Sequence, residues 1–130
     1  MWETRCKTKF WGASNLAQVA GIAALSQQGQ RECHEIIEYY LENAFLLKES
    51  LKRCGLKCFG GTDNPYVWIK CPQKLTSWNF FENILEKTGI VGMPGNFFGS
   101  CGEDYLRLSA LGDREEIKEG LDNLTELDLI

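Results

Sequence analysis

The stretch Ile90-Val91-Gly92-Met93-Pro94-Gly95-Asn96-Phe97-Phe98-Gly99-Ser100-Cys101-Gly102-Glu103-Asp104-Tyr105-Leu106-Arg107-Leu108-Ser109-Ala110 decides the architecture of this chain. Two short apolar runs flank a glycine-rich connection. Ile90 to Met93 predicts one strand and Tyr105 to Ala110 another, with Pro94 to Gly102 as a mobile, turn-rich loop between them. Successive strand residues point to opposite faces, so Leu106 and Leu108 should enter a core while Arg107 faces away from it.

Working outward, the same grammar continues. Leu56 to Phe59 reads as a strand, Gly60-Gly61-Thr62-Asp63-Asn64 as a turn, and Tyr66 to Cys71 as a second strand. Ser77 opens a helix through Phe80, Phe81, Ile84 and Leu85 to Thr88, stopped by Gly89. Asp113, with Glu116 three residues on, opens a last helix carrying Ile117, Leu121 and Leu124. The order from residue 56 is β-β-α-β-β-α. It implies an α+β domain whose sheet is mostly antiparallel, with helices on one face.

Upstream the period changes. From Gln30 to Cys54, apolar residues recur at Cys33, Ile36, Ile37, Tyr40, Leu41, Ala44, Leu47, Leu51 and Cys54, the spacing of one helical face. Gly55 supplies a left-handed stop. This helix is long for a small domain and suits a bridge between two. Ser14 should cap a helix over Asn15 to Ser26, whose alanines and Gly21 suggest close packing against another element. Trp2 to Ala13 lacks periodicity and is expected to be irregular. The resulting partition is 1–28, 29–55 and 56–130.

Composition narrows the function classes. The chain has 130 residues, 44% hydrophobic and 25% charged, as in an ordinary globular protein. A net charge of −4 argues against a nucleic-acid surface, which needs a clustered basic excess. No signal peptide or membrane span is legible, so the chain reads as soluble and intracellular. Cysteines 6, 33, 54, 58, 71 and 101 lack metal-ligand spacing, and His34 is the single histidine. They read as free thiols, with Cys33 and Cys54 acting as small hydrophobes on the long helix. No phosphate-binding glycine motif and no Ser/His/Asp set is present.

Three segments carry a resemblance. They are Thr8-Lys9-Phe10-Trp11-Gly12-Ala13-Ser14-Asn15, then Asn64-Pro65-Tyr66-Val67-Trp68, then Met93-Pro94-Gly95 through Phe98-Gly99 to Gly102-Glu103 and Tyr105 to Ala110. In this order and spacing they resemble the LL-diaminopimelate aminotransferases, within the class I/II, fold-type I pyridoxal-phosphate enzymes. The likeness runs from about Trp2 to the end. It implies a C-terminal portion only: a large-domain remnant, an interdomain helix and the small domain. It further implies amino-group transfer between an amino acid such as LL-diaminopimelate and a 2-oxo acid, in a homodimer with shared active sites. The compartment would be the cytoplasm, or a plastid in a photosynthetic eukaryote.

By the same resemblance Arg107 matches the arginine that binds the substrate α-carboxylate, a task for which a planar, bidentate fork is suited. Read from its spacing alone, Arg107 is instead a strand arginine paired with Glu103 or Asp104. Trp11 stands where the family has an asparagine that reaches the substrate, and one indole donor cannot replace an amide. Asn96-Phe97 replace a serine-glycine pair, and Asp104 replaces a glycine. The cofactor-bearing lysine of the family belongs to the large domain, and neither Lys7 nor Lys9 sits in its signature. The chain alone is therefore expected to bind no pyridoxal phosphate, to hold no catalytic residue and no metal, and to be inactive without the missing domain. The alternative is a non-catalytic binding or assembly module derived from that domain. A cysteine redox or metal protein is a third, more distant reading.

Overall fold

A computed structural model describes residues 1–9, 12–72, 75–125 of the chain. They fall into two compact units, Met1–Ile37 and Glu38–Ile130.

The first unit is helical. The expectation of an irregular start is corrected: α1 spans Trp2–Lys9. It carries no apolar stripe to announce it and buries no side chain. Local terms favour it instead. Glu3 lies in its first turn and Lys7 in its last, which suits the helix dipole, and the two pair one turn apart at 2.6 Å. Ser14 caps α2 (Asn15–Leu25), its hydroxyl accepting from the Ala17 amide. Ser26 then ends α2 and its hydroxyl accepts from the Gly29 amide as α3 (Gln27–Arg53) begins. A Cβ at Gly29 would lie 2.1 Å from the Ala23 carbonyl oxygen, so only glycine fits this corner. Leu16, Val19, Ile22 and Leu25 of α2 are all exposed.

The second unit contains the sheet. Its strands are β1 (Cys58–Gly60), β2 (Tyr66–Lys70), β3 (Met93–Pro94) and β4 (Tyr105–Ser109), in the order β1-β2-β4-β3 with every neighbour antiparallel. The α+β class and the antiparallel sheet are as expected. Alternation divides each central strand: Val67 and Ile69 of β2 and Leu106 and Leu108 of β4 are buried, while the residues between them are not. The buried set meets Ala44, Leu47 and Leu51 from α3, Phe80 and Ile84 from α4 (Ser77–Thr88), and Leu121 and Leu124 from α5 (Arg114–Thr125). The apolar stripe of α3 is thus buried at Ala44, Leu47 and Leu51, whereas Ile36 and Ile37 stay exposed in the first unit.

Element boundaries shift for local reasons. Gly55 (φ +76°) ends α3 with its amide on the Lys52 carbonyl, and the Leu56 amide reaches the Leu51 carbonyl. Leu56 belongs to this helix stop, so β1 begins at Cys58 rather than Leu56. Thr76, not Ser77, caps α4, while Ser77 is buried and donates its hydroxyl to Glu103. The predicted strand at Ile90 shrinks to Met93–Pro94, because the Ile90 amide turns back onto the Thr88 hydroxyl.

One polar cluster pins α3 to the segment between β4 and α5. Asn43, fully buried, donates its amide to the carbonyls of Ala110 (3.3 Å) and Gly112 (3.2 Å). Its oxygen accepts from Arg114 Nε at 2.8 Å. Arg114 also donates to the Tyr39 carbonyl and the Glu42 carboxylate, and stacks over the Tyr39 ring. A buried amide so fully paired is stabilising, since each of its groups would otherwise be desolvated without return.

Candidate functional site

The face of the sheet opposite the helices is aromatic. Tyr66 and Trp68 alternate outward on β2, and Tyr105 and Arg107 on β4, with Trp68 the register partner of Arg107. Phe59 of β1 is the register partner of Trp68 on its other side. The rings meet edge to face: Phe59 with Tyr105 at 6.1 Å, Tyr105 with Trp68 at 6.4 Å, Trp68 with Phe98 at 5.2 Å. Such offset geometries are those the ring quadrupoles favour. Phe59, Trp68, Phe98, Cys101, Gly102 and Tyr105 line an open cavity of about 370 Å³ with no charged residue in its wall.

Arg107 lies at one end of this row. Its guanidinium carbon is 4.5 Å from the Tyr66 ring centre and 4.4 Å from that of Phe98, so the two rings flank it. The pairing with Glu103 or Asp104 that spacing alone suggests does not occur among the described residues. The Glu103 carboxylate accepts from the Ser77 hydroxyl at 3.2 Å, and among the described residues Arg107 makes no ion pair and donates no side-chain hydrogen bond. A half-buried cation with its donors unengaged and rings against it can receive a carboxylate in a bidentate manner.

Phe98 reaches this place because of the loop. Residues Gly95–Phe98 and Ser100–Gly102 form two short 3₁₀ turns. The loop is pinched at its base: a Cβ on Gly95 would stand 2.1 Å from the Gly102 carbonyl oxygen, and one on Gly102 2.0 Å from that of Gly95. Glycine at both positions is therefore a steric requirement, which sequence reading took only as flexibility. Gly99 between them has φ +113°. Phe97, the residue in place of the family's small one, packs against Trp78 at 5.5 Å.

Trp11 lies outside the described residues. Among the described residues no group of His, Cys, Asp and Glu could hold a metal. All six cysteines are free thiols, and burial, reinforced by the charge of Asp104, pushes Cys71 up to about 11. Among the described residues no helix is long and apolar enough to cross a membrane. Asn43 and Arg114 escaped sequence reading altogether: Asn43 interrupts no pattern, and its partners lie 67 to 71 residues away.

Residues 4–124 match the family described as aminotransferase class I and II. The chain belongs to that family. The LL-diaminopimelate aminotransferase of Chlamydomonas reinhardtii superposes with a TM-score of 0.91 at 41% identity, over 96% of this chain and 30% of that one. An aromatic aminotransferase from Pyrococcus horikoshii gives 0.76 at 25% identity, over 85% and 31%. An aspartate aminotransferase variant from Thermus thermophilus, at 24% identity and 0.79 over 95% and 34%, shares the fold. The chain thus spans about a third of the length of each aminotransferase it matches.

Class I and II aminotransferases generally use pyridoxal phosphate, held through a lysine. Such a lysine wants a desolvated amine free of partners. Among the described residues every lysine is exposed except Lys48, and its ammonium is committed to the Gly60 carbonyl at 2.7 Å and the Thr62 hydroxyl at 3.3 Å. Lys7 and Lys9 are both exposed on α1. None of the described lysines therefore fits the covalent anchor of the cofactor.

Proposed function

We propose that this chain is the substrate-gripping C-terminal part of a pyridoxal-phosphate aminotransferase, exchanging an amino group between an amino acid of the LL-diaminopimelate type and a 2-oxo acid. In this reading residues 1–28 belong to the end of a large domain, 29–55 form the helix that joins the domains, and 56–130 are the small domain. The cofactor and its lysine are supplied outside these residues, in a homodimer. Arg107 binds the α-carboxylate; the chain contributes orientation and charge, and the chemistry of amino transfer lies with the cofactor. The observation that carries the reading is the state of Arg107: flanked by Tyr66 and Phe98, and without an internal anion among the described residues.

The test pairs this chain with the remaining N-terminal portion of the algal enzyme, in cis and in trans, and assays LL-diaminopimelate with 2-oxoglutarate. The paired protein should transaminate, the chain alone should not, and Arg107→Ala in the paired protein should lower kcat/KM by about a hundredfold or more, as when one member of a buried charge pair is removed. A borohydride-fixed pyridoxyl group on one lysine of the lone chain, lost when that lysine is replaced, would place the cofactor here and overturn the assignment. So would a paired enzyme indifferent to Arg107→Ala. A paired protein that folds and loads cofactor without turnover would favour a non-catalytic module.

A further inference from the structure

Arginine is a long, flexible side chain, and fixing it in one orientation costs rotamer freedom that some contact must offset. Arg114 is held by oxygens of its own chain, the Asn43 amide, the Tyr39 carbonyl and the Glu42 carboxylate. At Arg107 an internal carboxylate would compete with the ligand. Resting on the carboxylate-binding reading above, we infer that Tyr66 and Phe98 are positioning residues: their rings hold the guanidinium by its faces, leaving its N–H edge free for the incoming acid.

The geometry supports each part of this. Both rings approach the guanidinium carbon to 4.5 Å or less, within the range of cation–π attraction. They come from different elements, Tyr66 from β2 and Phe98 from the loop between β3 and β4. Neither is loose. Tyr66 is set by the Asn64 side chain, which accepts its amide at 3.0 Å, and by its place opposite Ser109 in the ladder. Phe98 leans edge-on against Trp68, and the Gly95–Gly102 pinch fixes the base of its loop. A ring attracts a cation without neutralising it and offers no acceptor oxygen to its N–H groups. Arg107 therefore keeps its full charge and its donors while losing much of its freedom. The row Phe59–Tyr105–Trp68–Phe98 acts as the buttress behind that clamp.

The experiment uses ¹⁵N-arginine-labelled chain and reads the Arg107 Nε–Hε group by NMR relaxation and by titration with acetate and glutarate. Arg107 should be markedly more ordered than the exposed Arg5, Arg31 and Arg53. Phe98→Leu and Tyr66→Leu should each release it and weaken carboxylate binding about two- to fivefold, the worth of one exposed cation–π contact. Phe98→Tyr and Tyr66→Phe, which keep a ring, should restore both readouts. Thermal unfolding of each variant separates a lost clamp from a lost fold. Equal Arg107 order in wild type and both leucine variants overturns the inference, whatever the acids do. Order that depends on the rings with no acid binding at Arg107 upholds the clamp and removes the carboxylate reading instead. Acid binding that needs Arg107 but is untouched by either leucine variant overturns the positioning role while leaving the carboxylate reading standing.

Discussion

Arg107 and Arg114 each rest over a tyrosine ring at 4.5 Å, yet they stand in opposite electrostatic situations. Arg114, at the start of α5, is tied to the Asn43 amide oxygen, the Tyr39 carbonyl and the Glu42 carboxylate. Arg107, on the uncovered face of the sheet, has rings where Arg114 has oxygens. The first arrangement satisfies the guanidinium from within the fold and holds α3 to the sheet. The second leaves charge and donors available to something that is not in the chain. The same residue type is tied to oxygens in one place and flanked by rings in the other, and the difference lies in its neighbours.

Substitutions can break this contrast at graded cost. The largest effect is expected beside Arg107 rather than at it. Leu106 is 0% exposed at the centre of the helix-covered face, so Leu106→Ala should destabilise by about 2–5 kcal/mol in denaturant unfolding. A loss below about 1 kcal/mol would mean that the two faces are not distinguished as described. Next comes Asn43→Ala, which strands two carbonyls and the Arg114 Nε; a loss of about 1–3 kcal/mol is expected. Removing Glu42 as well should add little, since the Glu42 carboxylate is largely exposed.

The covered and open faces also differ in how their thiols respond to pH and to alkylation. Burial and the neighbouring Asp104 raise Cys71 to about 11, so the folded state holds that proton more tightly than the unfolded chain does. The contribution is complete below the unfolded thiol range, about 8.5, and is lost as pH rises towards 11. Stability should accordingly fall across that window, less steeply in Cys71→Ser. At neutral pH, mass-mapped alkylation of the native chain should label exposed Cys33 and Cys101 long before Cys71. Rapid labelling of Cys71 would show that the covered face opens.

The smallest effect on folding is expected at Arg107. Arg107→Ala should shift unfolding stability by about 1 kcal/mol or less, the worth of ring contacts to a half-buried cation that makes no internal ion pair among the described residues. Under the proposed carboxylate-binding role, the large loss should fall on ligand binding instead. A strongly destabilised Arg107→Ala chain would make it a structural residue like Arg114.

Much of this was legible along the chain because the signals are local. Period-2 alternation in Tyr66–Lys70 and Tyr105–Ser109 assigns inner and outer side chains, since strand geometry allows no other choice. Gly55 and Gly89 end their helices with positive φ, as their positions announced. The family was legible too, because its motifs are short strings in fixed register. Helix α1 was not, since it has charge pairing without an apolar stripe. Contacts between partners far apart in sequence had to await the fold: the Asn43–Arg114 tie, the Gly95–Gly102 pinch, and the placing of Tyr66 and Phe98 about one guanidinium. A residue's type and the direction in which it points follow from neighbouring residues. Whether an arginine is satisfied or left open depends on which distant atoms the fold brings within about 4 Å of it, a three-dimensional fact that no local pattern encodes.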